Sequence, residues 1–259
     1  MQGNRIGITW KQNLIVDIVY GINPVLELLE QGSDCIEEVS IARGRGGGEV
    51  RRIVELARVR GIPISFQDRR EIERRAGPKS QGVFCICREF RYAEVDEIIE
   101  NRKAEFRTDL VLILDSVFDP QNLGSLIRTG LFFGANGVII PEHRAAPVTP
   151  SVIKASSGAA YRFPVARVVN LSSSLDYLKK KGFWIYGSDP GHGPGTLAPA
   201  FEGDIGLVLG SEGKGIRPLI RNKCDFIVSV PGAGLIDSLN VAVAGGILLY
   251  LASQKRKKS

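Results

Sequence analysis

Leu110-Val-Leu-Ile-Leu114-Asp115-Ser-Val-Phe-Asp119-Pro120-Gln-Asn122-Leu-Gly124-Ser125-Leu-Ile-Arg128-Thr129 joins an apolar run to a helical pattern through a polar turn. Five consecutive apolar residues, Leu110–Leu114, read as a strand buried on both faces. A polar turn follows, and then an apolar rhythm with helical spacing. A buried strand running straight into a helix belongs to a β-α-β fold, which binds ligands at the C-terminal ends of its strands. A helix starting near Asn122 places Arg128 about two turns in, near the face of Ser125. The plainer reading makes Asp119 an N-cap and Arg128 a surface residue.

Working outward, further apolar strands are expected at Val138–Ile140, Phe183–Tyr186, Ile205–Leu209 and Phe226–Val230. Helical patterns lie between them, and a last one runs from about Leu239 to Ser253. This alternation predicts a parallel sheet covered on both faces. Upstream, Asn23–Glu30, Glu49–Arg60 and Arg69–Ala76 read as helices. Val39–Ala42, Ile62–Phe66 and Val83–Cys87 read as strands, giving a smaller α/β unit. Ala93–Arg107 reads as a charged helix or linker, so a boundary is expected near Thr108. The organisation is then a small domain with its linker at 1–107 and a larger one at 108–259.

Two more loops break the regular pattern after a strand. Leu209-Gly210-Ser-Glu212-Gly-Lys-Gly215 lets main chain approach a ligand closely. It is not a P-loop, because Ile216 stands where the lysine belongs, and no dinucleotide fingerprint is present. Val230-Pro231-Gly-Ala-Gly-Leu-Ile-Asp237-Ser238-Leu239-Asn240-Val241 leads from a strand into the last helix, with Asp237 or Ser238 as a possible N-cap. The three loops converge on one sheet edge and describe a cofactor pocket. Chemistry alone does not name the cofactor.

The composition narrows the setting. The formal net charge is +6, which suits a polyanionic partner. Residues 43–79 hold 11 Lys/Arg against 5 Asp/Glu, and the glycine-rich run 43–48 reads as a flexible basic loop. Arg43, Arg45, Arg51 and Arg52 are the candidate RNA contacts, against the alternative of a solvated face. The tail Lys255-Arg256-Lys257-Lys258 is expected to be disordered. Cys35, Cys85, Cys87 and Cys224 form no C-x-x-C pair, and the only histidines are His143 and His192, so no metal is expected. The cysteines read as small core residues in a reducing compartment. Met1–Tyr20 has no secretory signal, and no apolar run reaches the roughly 20 residues that span a bilayer. A cytoplasmic protein with no membrane partner is expected.

Taken together, the three loops resemble the signature motifs of the SpoU family of RNA ribose 2′-O-methyltransferases, a branch of the knotted methyltransferases. N-x-G-x-x-x-R-T is present as Asn122, Gly124, Arg128 and Thr129. L-G-x-E-G-x-G is present as Leu209 to Gly215, and P-x-x-G-x-x-x-S-L-N-V as Pro231 to Val241. The match covers roughly Leu110 to Leu251. Two departures are Gly232, where many members have Met, and Ala242, where many have Ser. Val19-Tyr-Gly-Ile-Asn-Pro24-Val-Leu-Glu27 resembles the opening of the ribosomal-protein-like RNA-binding domain that many members carry.

The resemblance implies a SPOUT fold, in which the C-terminal segment threads a loop of the parallel sheet as a trefoil knot. It implies S-adenosyl-L-methionine as cofactor, a homodimer, and methylation of a guanosine ribose in 23S rRNA. It implies Arg128 at the catalytic centre, with Asn122, Glu212, Ser238 and Asn240 orienting Arg128, ribose and cofactor. The cofactor is expected on main chain around Leu209, Gly210, Gly215, Val230 and Leu239. A transfer-RNA ribose methyltransferase and a non-catalytic RNA-binding protein on the same fold are the alternatives. The intact Asn122, Arg128, Glu212 and Asn240 argue against the second.

Overall fold

The computed structural model describes residues 17–30, 36–88, 90–189, 201–232, 235 and 238–256. Its contacts divide the chain into two compact units, with the division falling between Arg88 and Phe90.

The first unit runs β1 (Asp17–Tyr20), α1 (Ile22–Glu30), β2 (Ile36–Ala42), α2 (Gly48–Val59), β3 (Ile64–Gln67), α3 (Arg69–Ala76) and β4 (Val83–Cys87). The sheet order is β1-β4-β2-β3. β4 is antiparallel to both neighbours, while β2 and β3 are parallel. Helix α1 turns Ile22, Val25, Leu28 and Leu29 inward, the spacing of a one-sided helix. Cys85 and Cys87 are buried in β4, as the apolar run Val83–Cys87 suggests. Cys35 lies outside the described residues.

The second unit contains α4 (Val95–Glu100), β5 (Leu110–Leu114), α5 (Pro120–Phe132), β6 (Gly137–Pro141), α6 (Pro150–Ala155) and β7 (Val165–Val168). It continues with α7 (Leu171–Lys180), β8 (Phe183–Ser188), β9 (Asp204–Leu209), α8 (Pro218–Arg221), β10 (Phe226–Val228) and α9 (Val241–Arg256). Its sheet is parallel throughout, in the order β10-β8-β9-β5-β6-β7. From β5 the chain steps outward through β6 and β7, then returns to build the other side. The crevice at the C-terminal ends of β5 and β9 is therefore a topological switch point. One side of the sheet buries Val111, Ile113, Ile185 and Val208 against Leu171, Leu175 and Leu178 of α7. Each such side chain contributes about 1.5–3 kcal/mol.

Three expectations change. Residues 93–107 pack into the second unit instead of linking two domains. Ala93 bridges Ala166 at the edge of β7, and its N–H donates to Val165 O at 2.8 Å. Ile98 is fully buried in the same core. Strand β7 was not expected, because a four-residue edge strand carrying Arg167 shows no continuous apolar run. The C-terminal tail is also different. α9 continues to Arg256, whose side chain is 1% exposed. Its Nε and Nη2 donate to Thr108 O at 2.9 and 2.7 Å, its Nη1 donates to Gly134 O, and its guanidinium lies over the Phe106 ring. Burial pushes this guanidinium down to about 10, so it is still charged at neutral pH. A basic run thus hides one arginine that closes the main chain of the fold. Lys257 and Lys258 lie outside the described residues.

Candidate active site

Helix α5 begins at Pro120, earlier than the apolar rhythm suggests. Asp119 caps it by accepting from Gln121 N at 3.0 Å, and Pro120 occupies the first helical position, where no N–H is needed. Asn122 therefore sits in the first turn, where its side chain reaches the loop after β9. Its Nδ2 donates to Glu212 Oε1 at 3.1 Å. Asn240 Nδ2 donates to Asn122 Oδ1 at 2.9 Å and also to Glu212 Oε1. The Val241 N–H reaches the same carboxylate oxygen at 3.3 Å. One carboxylate thus joins all three loops.

The same cluster explains where α9 starts. Asn240 Oδ1 accepts from Ala242 N at 2.9 Å and Val243 N at 3.2 Å, so Asn240 is the N-cap. The sequence had pointed to Asp237, which lies outside the described residues, or to Ser238. Glu212 adds a negative charge at the helix N-terminus, where the helix dipole favours it.

The loop carrying Glu212 is held stiffly. Ser211 and Gly215 exchange main-chain hydrogen bonds at 3.0 and 2.9 Å. A Cβ on Gly210 would lie 2.0 Å from the Gly215 carbonyl carbon, so only glycine fits there. A second anchor escaped the sequence reading. Asp115, fully buried at the end of β5, accepts from Arg217 N at 2.9 Å and Arg217 Nε at 2.7 Å. Arg217 is partly exposed. The two partners are therefore unequal. Arg217→Ala strands a buried carboxylate and should cost about 3 kcal/mol or more, whereas Asp115→Ala leaves a cation that water can reach and should cost less. Chemical denaturation of both variants checks this order, and equal losses would refute it.

Arg128 stands apart from the carboxylate cluster. It is exposed on α5, and its Nη1 donates to Ser157 Oγ at 2.9 Å. Gly124 makes that contact possible. A Cβ at Gly124 would lie 2.4 Å from Ala155 Cβ and 2.9 Å from Ser156 N and Val152 O. Bare glycine lets α6 lie directly on α5, which carries Ser157 to Arg128. The resemblance implies that Asn122, Glu212, Ser238 and Asn240 orient Arg128, the ribose and the cofactor. Asn122, Glu212 and Asn240 bond to one another, and among the described residues Arg128 donates to Ser157. The signal in the sequence was the small-residue run Ser156-Ser157-Gly158-Ala159-Ala160, which had no assigned role.

The expected cofactor residues lie on the same rim. Leu209 is buried at the end of β9, followed by buried Gly210, and Gly215 closes that loop. Val230 and Ser238 are half-buried. Leu239 is 39% exposed and Leu235 is 90% exposed, so apolar side chains face outward beside the main chain. Among the described residues nothing lies within 4 Å of the missing Cβ of Gly232, the position where the resemblance expects methionine. Stiff main chain beside exposed apolar groups fits an adenosine, which offers a hydrogen-bonding edge and an apolar face. Cys224 is no candidate nucleophile, because burial pushes its thiol up to about 11. Among the described residues there is no group of three or more His, Cys, Asp or Glu able to hold a metal, and no helix long and apolar enough to cross a membrane.

In the first unit the expected flexible loop is a defined turn. Arg45 N bonds to Ala42 O at 3.0 Å, and Arg51 N bonds to Gly47 O at the start of α2. Arg43 Nε and Arg45 Nε donate to Phe66 O and Gln81 O, which aims both exposed side chains. Arg51 is exposed, and Arg52 lies 3.8 Å from Glu30 in an exposed pair.

Comparison with known proteins agrees with this geometry. The SpoU rRNA methylase family model matches residues 109–250, and the model for RNA 2′-O ribose methyltransferase substrate binding matches residues 18–93. The putative TrmH family tRNA/rRNA methyltransferase YacO of Bacillus subtilis is 37% identical, over 93% of this chain and 96% of its own. The 23S rRNA (guanosine-2′-O-)-methyltransferase RlmB of Coxiella burnetii is 36% identical, over 92% and 96%. The crystal structure of the SpoU methyltransferase AviRb from Streptomyces viridochromogenes with AdoMet superposes with a TM-score of 0.65 at 25% identity, covering 92% of this chain and 89% of that one. A glutamate-centred junction of three loops at the switch point of a parallel sheet, in a chain whose residues 18–93 and 109–250 match the two family models, makes this protein a member of the SpoU rRNA methylase family with the substrate-binding domain of RNA ribose 2′-O-methyltransferases.

Proposed function

We propose that this protein transfers the methyl group of S-adenosylmethionine to the 2′-hydroxyl of a guanosine ribose in 23S ribosomal RNA. The observation that carries the reading is the junction of Asn122, Glu212 and Asn240, which ties the expected cofactor loops to the helix bearing Arg128. The relative from Coxiella burnetii acts on that substrate by name. The donor supplies an electrophilic methyl on a sulfonium, which leaves as a neutral thioether. Main chain at Leu209, Gly210, Gly215, Val230 and Leu239 would hold it.

The residues of the chain then have separable tasks. A ribose hydroxyl is a weak nucleophile and needs its developing charge stabilised. Arg128 brings a planar guanidinium fork, the side chain whose geometry suits phosphate. It offers donors to a phosphate or a nascent alkoxide beyond the one used on Ser157. Glu212, Asn122 and Asn240 hold the rim in place, and Ser238 lies beside them on the approach to α9.

The first unit contributes phosphate contacts through Arg43, Arg45, Arg51 and Arg52. Replacing Arg43 and Arg45 by Ser should flatten the slope of log RNA affinity against log salt by up to about 1.5 units, with donor affinity unchanged. An unchanged slope would assign this stretch to a solvated face. A homodimer and the knotted threading of α9 belong to the same reading. α9 leaves Val243, Ile247 and Tyr250 exposed, and Phe132 on α5 is 81% exposed, an apolar face that a second copy would cover. The cytoplasm is the compartment in which its ribosomal substrate would be met.

The decisive experiment maps ribose methylation on 23S rRNA from a strain lacking the gene, with and without the purified enzyme and labelled donor. Loss of one guanosine methylation and its restoration in vitro is expected. Label appearing in transfer RNA alone would move the assignment to the alternative substrate.

A further inference from the structure

Helix α6 ends in a way that its sequence does not favour. Ser156 closes the helix, Ser157 N donates to Lys154 O at 2.9 Å, and Gly158 N donates to Ile153 O at 2.9 Å. That pair of bonds is a Schellman motif, whose first residue past the helix adopts the left-handed conformation and is usually glycine. Here that position is Ser157, with φ 50°, although a glycine stands immediately after it. Serine at positive φ is strained where glycine is not.

The strain is not offset by packing. Ser157 is exposed, in contrast to its neighbour Ser156, which is fully buried and bonded to Ile153 O. Among the described residues, the side-chain hydrogen bond of Ser157 is made by its Oγ, which accepts from Arg128 Nη1. A hydrogen bond between two exposed groups contributes little to stability. Strained residues that do not serve stability cluster at functional sites. Two more non-glycine residues of this unit have positive φ, Ser116 after β5 and Arg144 after β6. The loops carrying them are joined by Ala146 N donating to Val117 O at 3.0 Å.

We propose that Ser157 is a positioning residue for the methyl transfer, using its strained backbone to aim a hydroxyl that fixes the guanidinium of Arg128. This rests on the function proposed above. Gly124 brings α6 onto α5, the left-handed turn points Oγ outward, and Oγ holds one edge of the guanidinium. The remaining N–H groups are thereby presented to the RNA in a single orientation. Catalytic groups held this way avoid the loss that follows small misplacements.

Two variants of the full-length protein test the assignment. Ser157→Gly removes the hydroxyl and relieves the backbone. Its melting temperature should equal or exceed the wild type, while kcat falls by about tenfold or more. KM for RNA and donor affinity should stay within about twofold, because neither ligand is assigned to Ser157. Ser157→Asn keeps an acceptor on a residue that tolerates positive φ, and should retain most of kcat. Nitrogen NMR of the Arg128 guanidinium gives a readout independent of turnover. Rotation should be hindered in wild type and Ser157→Asn, and averaged in Ser157→Gly. A Ser157→Gly enzyme with wild-type or raised kcat would overturn the proposal, as would a change confined to RNA KM or a Ser157→Asn enzyme as slow as Ser157→Gly. If the wild-type protein transfers no methyl to RNA, the proposed function fails, and the NMR comparison still decides whether Ser157 fixes Arg128.

Discussion

Arg128→Ala should lower turnover by about 10²–10³-fold and leave donor affinity almost unchanged. The side chain is exposed, and among the described residues its bond runs to Ser157 and not to the loops expected to hold the donor. Arg128 is six residues beyond Asn122 on α5, about 9 Å along the helix axis from the glutamate junction. Removing it deletes no core packing, so the melting temperature should hold. Arg128→Lys should rescue little, because a single ammonium cannot both bond Ser157 and present a planar fork to phosphate. Single-turnover rates and donor titration by calorimetry separate the two effects. A collapse of donor affinity in a protein that still melts normally would show that Arg128 serves the cofactor.

Glu212→Ala should damage both the fold and the donor site. Its Oε1 accepts from Asn122, Asn240 and the Val241 main chain. Deletion leaves these donors without their shared acceptor. Part of that loss is recovered by water, because Asn240 is exposed, so the expected cost is about 2–4 kcal/mol. For a chain of this size that lowers the melting temperature by roughly 5–15 °C. Donor affinity should fall with it, since the loops at 209–215 and 230–240 lose their common tie. Glu212→Gln is the informative companion. A Gln oxygen still accepts the same bonds and forfeits mainly the charge at the N-terminus of α9, worth about 0.3–1 kcal/mol. If Glu212→Ala keeps both its melting temperature and its donor affinity, the junction does not hold the site together.

Elements with a local cause are legible in the amino-acid sequence. Leu110–Leu114 and Ile205–Leu209 are apolar runs too short for a core helix and read as buried strands, and they pair as neighbours in the parallel sheet. Asp119-Pro120 offers a local N-cap and first-turn proline for α5, and the glycines at 210–215 mark a loop whose main chain can approach a ligand closely. The motif resemblance located Asn122, Glu212 and Asn240 before any coordinate did. Tertiary structure decided what those residues touch. Asp115 and Arg217 lie 102 residues apart and meet because β5 and β9 are adjacent, a pairing that no local pattern encodes. Arg256 reads as one charge in a basic tail, yet α9 carries it to the carbonyls of Thr108 and Gly134. Ser157 reads as filler in a run of small residues. Only the close approach of α6 to α5 at Gly124 sets its hydroxyl against Arg128. Local propensity depends on near neighbours along the chain, whereas these contacts depend on which surfaces remain once the sheet has chosen its order.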